Sequence, residues 1–277
     1  MIKSATNTTA ITLSFIRWEF LKTLFSFQNY IAVFVSLCVA WLMVNGMINT
    51  VAQNGLIIEA NPFILPFLAT LLPYAVFLAL AVAVSLAREI ENRTFEVLFF
   101  APIRFSSFVL GRFLGQLTYY LLALPLVLVF FIGYANSVNL RVGPGFLGAI
   151  VLSPFTVASV VGFGFLIAAY LRKTRITVVV LLALILLLLG VQFAHVLLPT
   201  LQPAEADTTL LVLTDVVDVM YRVVEWISPF AYLTKGVDAA QFGAPELYAR
   251  VVLASLAYTI LTLALSVWVL REKGISR

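Results

Sequence analysis

The sequence predicts an all-α integral membrane protein with six membrane-spanning helices, and three observations predict it. Hydrophobic residues make up 62% of the 277-residue chain and charged residues 11%, where soluble domains carry about 45–50% and about 25%. The apolar residues gather in six runs, each near or above the ~20 residues that one crossing needs. The charges lie between the runs, and seven of the thirty fall in a single polar stretch, Ala87 to Gly115. What remains outside the runs is too small for a soluble domain, so residues 1–277 form a single transmembrane domain. The net charge of +4 is spread along the chain, flanking the apolar runs, which is no nucleic-acid signature. The one cysteine, Cys38, lies inside an apolar run, so there is no disulfide framework and no cysteine-based metal site. It reads as a small packed residue.

Residues 1–10 are polar with one lysine, and the segment after them is amphipathic. That pattern argues against a removable signal peptide. Over 11–27, Leu13, Ile16, Phe20, Leu24 and Phe27 recur at spacings of three and four, which places them on one helical face. Thr12, Glu19, Lys22, Thr23 and Ser26 fall on the other, with Arg17 and Trp18 on the flanks. The expectation is a helix lying in the membrane interface; as an extension of the first span it would carry Glu19 and Lys22 into the bilayer.

Span one is expected over 30–50, with Trp41 in its outer half, and span two over 63–86 after Asn61-Pro62. Pro73 inside span two frees a backbone carbonyl, so a kink or local unwinding is expected there. The polar segment 87–104 follows, then span three over 113–134 with Pro125 inside it. A loop holding Asn136, Asn139, Arg141 and the turn Gly143-Pro144-Gly145 leads to span four, 147–171. Arg172-Lys173-Thr174-Arg175 makes a tight return into span five, 176–198, the most apolar of the six. The one long connection, 199–245, is rich in acids (Glu205, Asp207, Asp215, Asp218, Glu225, Asp238). Its apolar patch from Trp226 to Leu233 is too short to cross, so a buried or re-entrant segment is expected. Span six covers 251–270, and Arg271, Lys273 and Arg277 follow.

Six crossings put both termini on one side. Thirteen of the seventeen Lys and Arg residues then fall on that side and four (Arg141, Arg222, Lys235, Arg250) on the other. Positive charge favours the cytoplasm, so the termini and the polar stretch are expected there, in a multi-pass protein of the cell membrane, with the acidic connection outside.

Several functions are disfavoured. No expected span carries Asp, Glu, Lys or Arg near its centre, which counts against ion-driven transport. His195 is the only histidine and has no carboxylate near it in sequence, so it reads as a packed or interfacial residue rather than a ligand or base. The chain lacks H-E-x-x-H and G-x-S-x-G, and lacks the phosphate-cradling G-x-x-x-x-G-K-[ST] loop. No catalytic residue, cofactor site or metal site is expected in it, and it does not hydrolyse a nucleotide by that route. Gly111-x-x-x-Gly115 fits local helix packing.

Within the polar stretch, Thr94 to Phe100 reads as a short helix. Thr94 caps it, Glu96 sits in its first turn where the helix dipole favours an anion, and Pro102 lies just past its end. Glu89 and Arg93 are four apart in the favourable order for an ion pair. Two readings stand level on physics alone: an interfacial helix with a solvated charged side, and a docking helix with its charges facing a soluble partner.

The run from Leu86 to Arg104 (L-A-R-E-I-E-N-R-T-F-E-V-L-F-F-A-P-I-R), followed by F-V-L-G-R-F-L from Phe108 to Leu114, resembles the cytoplasmic signature of ABC-2-type transporter permeases. That pattern is an acidic pair, then G-T-x-E-x-L-L-x-x-P-[VI], then a helix start like V-L-G-K-F. Thr94, Glu96, Leu98, Pro102, Ile103, Leu110 and Gly111 match it, while Arg93, Arg112 and Ile90 depart from it. Arg17 to Phe20, Leu72-Pro73, and Ile227 to Phe230 with Lys235-Gly236 are similar to other parts of the same family, nearest the gliding-motility and nitrous-oxide-reductase-maturation permeases.

The resemblance implies that two permease chains pair, identical or not, and that each docks on a cytosolic ABC ATPase encoded separately. ATP and magnesium would be bound by that ATPase. It implies coupling to the ATPase through Glu89, Glu91, Arg93, Thr94, Glu96 and Pro102, an outer gate around Ser228, Pro229 and Phe230, and export as the direction. A non-transporting membrane scaffold or signalling protein that docks another cytosolic partner is the alternative, and an ion-coupled transporter is a weaker one.

Overall fold

A computed structural model describes residues 13–14, 16–54, 62–92, 105–138, 142–200 and 208–274. Among these residues the regular structure is helical throughout. The helices are α1 (16–24), α2 (Phe27–Asn54), α3 (Ile64–Glu91), α4 (Phe105–Ser137), α5 (Pro144–Leu171), α6 (Thr174–Thr200), α7 (Thr208–Ile227), α8 (Ala231–Gln241) and α9 (Pro245–Gly274). Six are long and apolar enough to cross a membrane, over Phe27–Asn49, Ile64–Glu91, Phe105–Ser137, Gly145–Leu171, Thr174–Leu198 and Pro245–Glu272. The shortest stretch has 23 residues, roughly 35 Å at 1.5 Å per residue, which exceeds the ~30 Å hydrocarbon thickness. The protein is an all-α, multi-pass membrane protein.

The helices outrun the apolar runs that announce them. α3 continues through Arg88, Glu89 and Glu91, and α4 begins at Phe105 rather than Phe113, so Arg112 lies inside a helix. Backbone hydrogen bonding continues as long as side chains find partners, whereas hydropathy marks only the lipid-facing length. Pro73 lies inside α3, whose helix runs on across it from Ile64 to Glu91. The connection over 199–245, where short outer helices are expected, holds the two helices α7 and α8.

α5 is the central helix, packed against α3, α8 and α9 and touching α4 and α6. It carries small residues where its neighbours come close. A Cβ on Gly164 would lie 2.7 Å from the Ala79 carbonyl oxygen of α3, so these two backbones are in direct contact. On the α9 side, Ser159 Oγ donates to the Ser255 carbonyl at 3.0 Å and lies 3.2 Å from Thr259 Oγ1. Small and hydroxyl residues at crossings are how membrane helices associate without a hydrophobic drive between them. At the far ends of α3, α4 and α5, Phe63, Phe67, Phe131 and Phe146 meet edge to face with centroids 5.4–6.4 Å apart, a geometry favoured by their quadrupoles.

α1 ends at a turn that its own polar residues close. Asn29 Nδ2 donates to the Thr23 carbonyl at 2.7 Å, and Ser26 and Asn29 backbone N–H groups donate to Thr23 and Ser26 carbonyls. These bonds satisfy the terminal carbonyls that a helix leaves open and set α1 apart from α2.

Candidate functional site

Two regions, at opposite ends of the bundle, hold the polar chemistry. The first lies where α1, the end of α3 and the start of α4 meet. Arg112 and Glu19 are each 3% exposed. The guanidinium donates Nη2–H to Glu89 Oε1 at 2.6 Å and Nη1–H to Glu89 Oε2 at 2.9 Å, a bidentate pair of the strong, charge-assisted kind. Its Nε lies 3.5 Å from Glu19 Oε2, and its carbon centre sits 5.0 Å from the Phe108 ring centroid. One turn further along α4, Gln116 Nε2 donates to Thr23 Oγ1 at 3.1 Å and to Glu19 Oε1 at 3.5 Å. Gly115 lets α1 approach, since a Cβ there would come within 2.9 Å of Glu19 Cβ.

The packed side of α1 is mixed: Glu19 and Thr23 are buried and Phe20 and Leu24 pack against the core, while Arg17, Trp18, Leu21 and Lys22 are exposed. A buried arginine needs paired anions; two carboxylates from separate helices supply them, binding three elements to one cation.

Glu91, two residues after Glu89, turns elsewhere. Its Oε2 accepts the Thr174 backbone N–H at 3.0 Å, so α3 supplies an anion to the N-terminus of α6, where the helix dipole favours one. The return between α5 and α6 is tight enough to need Arg172 in the left-handed region, with φ of 60°. Of the residues that the resemblance assigns to coupling, Glu89 bonds to α4 and the exposed Glu91 bonds to the start of α6. Arg93, Thr94, Glu96 and Pro102, with the expected Thr94–Phe100 helix and the expected Glu89–Arg93 pair, lie outside the described residues.

The second region is the α7–α8 turn at the opposite end. Ser228, Pro229 and Phe230 are buried. Pro229, Phe230 and Leu233 face a small cleft also lined by Leu71, Leu72 and Ala75 of α3 and Thr156, Val157 and Val160 of α5. Thr156 lies twelve residues into α5, roughly 18 Å along it, so the turn is wedged well inside the helix bundle. From there α8 climbs back along α5. A Cβ on Gly236 would strike Leu152 Cδ2 at 2.2 Å, and one on Gly148 would strike Ala240 Cβ at 2.7 Å. From Ser228 to Leu233 the chain is buried, and the short non-helical turn between α7 and α8 is enclosed by protein.

Gln192 of α6 donates Nε2–H to Ser228 Oγ at 3.4 Å, and Tyr232 donates its hydroxyl to the Trp226 carbonyl at 2.9 Å. Lys235 pairs with Glu225 and sits over the Trp226 ring. His195, expected as a packed or interfacial residue, packs between α6 and α7. Its Nδ1 lies 2.8 Å from Asp218 Oδ1, and its ring stacks on Tyr221 at 3.9 Å. Burial, with the Glu225 and Asp238 carboxylates adding to it, holds the Tyr221 hydroxyl above its ordinary pKa and therefore neutral.

Sequence reasoning missed Glu19, Arg112, Gln116 and Asp218. The available signal was charge in excess of what the interface needs: Glu19 on a membrane-surface helix, and Arg112 with Gln116 one turn apart in a helix otherwise apolar.

Together, six helices long enough to cross, a charged node between α1, α3 and α4 and a buried turn between α7 and α8 define a polytopic membrane protein. Residues 42–270 match the family described as ABC-2 family transporter protein, and the chain belongs to that family. It is a permease subunit of an ABC transporter, in a family that implies an ABC ATPase partner. No curated protein matches the chain at a significant level.

Proposed function

We propose that this permease is the membrane half of an ATP-driven exporter in which α3 carries the stroke. One observation supports that reading most directly: α3 touches both polar regions. At one end Glu89 holds Arg112 and Glu91 caps α6, and about 27 Å away along the same helix Leu71, Leu72 and Ala75 face Pro229 and Phe230. In this reading the cytosolic ATPase, which binds the ATP and magnesium, docks on the segment that follows Glu91, with Arg93, Thr94, Glu96 and Pro102 in the contact. Glu89 and Glu91 act one step further in, passing displacement of that segment to α1, α4 and α6.

Ser228, Pro229 and Phe230 form the outer gate. They are wedged between α3 and α5 and yield when α3 shifts. The excess of Lys and Arg beside the polar stretch supports a cytoplasmic position for that stretch and both termini, and a second permease chain completes the path. This chain supplies no catalytic residue to ATP hydrolysis.

The test is co-purification with the cognate ATPase, with ATPase rate measured on the reconstituted complex. The wild-type chain associates and stimulates hydrolysis, and Glu96→Arg weakens both. Absence of association, together with transport that survives Glu96→Arg, refutes the coupling.

A further inference from the structure

Tyr74 of α3 and Tyr120 of α4 are both buried, with ring centroids 5.9 Å apart, yet their hydroxyls fare differently. Tyr120 donates its O–H to Ser153 Oγ at 2.7 Å, and Ser153 donates onward to the Ile150 carbonyl. The Tyr74 hydroxyl is fully enclosed and makes no hydrogen bond to protein. The Tyr119 hydroxyl comes near it without closing such a bond. A buried hydroxyl without a partner is costly in any protein, and a bundle surrounded by hydrocarbon has no bulk water to relieve it.

Tyr74 lines a cavity of about 20 Å³ between α2, α3 and α4. One water needs roughly 10–15 Å³ and two to four polar partners. Ser36 of α2 and Thr70 of α3, each 3% exposed, line the same cavity, and the Tyr120 ring and apolar side chains complete it. Both small hydroxyls have their protons engaged within their own helices. Ser36 Oγ donates to the Ala32 carbonyl and Thr70 Oγ1 to the Pro66 carbonyl, each at 2.7 Å. What these two oxygens still offer is lone pairs. Tyr74, four residues along α3 from Thr70 and so on the same helical face, offers the opposite, an O–H. One donor and two acceptors are the complement of a single water that accepts one bond and donates two.

We propose that this cavity is a binding site for one ordered water, which accepts the Tyr74 O–H and donates to Ser36 Oγ and Thr70 Oγ1. Three bonds are the usual complement of a buried water, and each is nearly as favourable as a direct hydrogen bond. The bridge ties α2 to α3 within their membrane-spanning lengths. It sits at the turn of α3 that carries Pro73. Leu71 lines both this cavity and the cleft against Pro229 and Phe230, so this turn of α3 has the water bridge on one side and the α7–α8 turn on the other. The inference rests on packing and hydrogen-bond chemistry alone and is independent of ATPase coupling.

The test uses the full chain in phosphatidylcholine nanodiscs. Thermal unfolding is compared for Tyr74→Phe, Thr70→Val, Ser36→Ala and Tyr119→Phe, and for Tyr74→Phe paired with each of the others. Tyr74→Phe is expected to lower the melting temperature by at least about 2 °C. Its pairs with Thr70→Val and Ser36→Ala are expected to lose clearly less than the sum of the single losses, because all three side chains hold one water. X-ray hydroxyl-radical labelling, which marks side chains beside bound water, is expected to oxidise Tyr74 several-fold more in the wild type than in Ser36→Ala/Thr70→Val. A Tyr74→Phe chain as stable as the wild type, or more stable, overturns the proposal, since in a dry cavity the hydroxyl only costs. So does a loss that couples to Tyr119→Phe and adds with Ser36→Ala and Thr70→Val, the signature of a direct bond between the two tyrosines. Equal labelling of Tyr74 in the wild type and in Ser36→Ala/Thr70→Val overturns it as well.

Discussion

Arg112→Met strands two carboxylates. Glu19 and Arg112 are 3% exposed and the Glu89 side chain 23% exposed, so neither acid is well placed to recover its hydration when the cation is removed. Breaking a buried ion pair from one side costs about 3–5 kcal/mol, and replacing every charge in such a cluster by apolar groups of similar size is often neutral or stabilising. Arg112→Met is therefore expected to lose about 3–5 kcal/mol, and Glu19→Leu/Glu89→Leu/Arg112→Met to regain most of it. The two acids are not equivalent. Glu89 accepts both short bonds, at 2.6 and 2.9 Å, whereas Glu19 has one contact at 3.5 Å. The cluster also holds one more acid than base, so Glu19→Gln relieves the excess charge. Glu89→Gln is expected to cost about 1.5–3 kcal/mol, the range for hydrogen bonds to charged groups, and Glu19→Gln clearly less. The assay is equilibrium unfolding of the purified chain in mixed micelles, followed by helix circular dichroism. A loss under about 1 kcal/mol for Arg112→Met, or a triple variant no more stable than the single one, refutes the account of this node as a buried, mutually dependent triad.

Gly164→Leu places a side chain where Ala79 backbone atoms already lie at 2.7 and 3.2 Å. Because backbone cannot swing aside, α3 and α5 must separate, and thermal unfolding in detergent should show a loss at or above the roughly 1–3 kcal/mol of ordinary overpacking. At the α5–α6 return, Arg172 has φ of 60°, a conformation that is disfavoured for residues with a Cβ. Arg172→Gly should hold or raise stability by up to about 1 kcal/mol, and Arg172→Val should lower it, as read by the same melt.

The reach of sequence reasoning can be judged at particular residues. The helix over 16–24, the tight return at Arg172 and the buried turn after Trp226 were all legible, because each follows from local patterning or from a run too short to cross. His195 was legible as a packed residue, but its partner was not: the carboxylate stands twenty-three positions later, on another helix.

Hydropathy and charge by themselves determined that this chain crosses a membrane six times and where its polar stretch falls, because hydrocarbon excludes charge from every ~20-residue run regardless of what the neighbours do. Tertiary structure decided which charges belong together. Glu19 and Arg112 are ninety-three positions apart, and Glu91 meets Thr174 across eighty-three; nothing in local composition encodes such pairings. They arise because burying a charge is tolerable only opposite its counter-charge, and only the packing of α1, α3, α4 and α6 brings the counter-charges within reach.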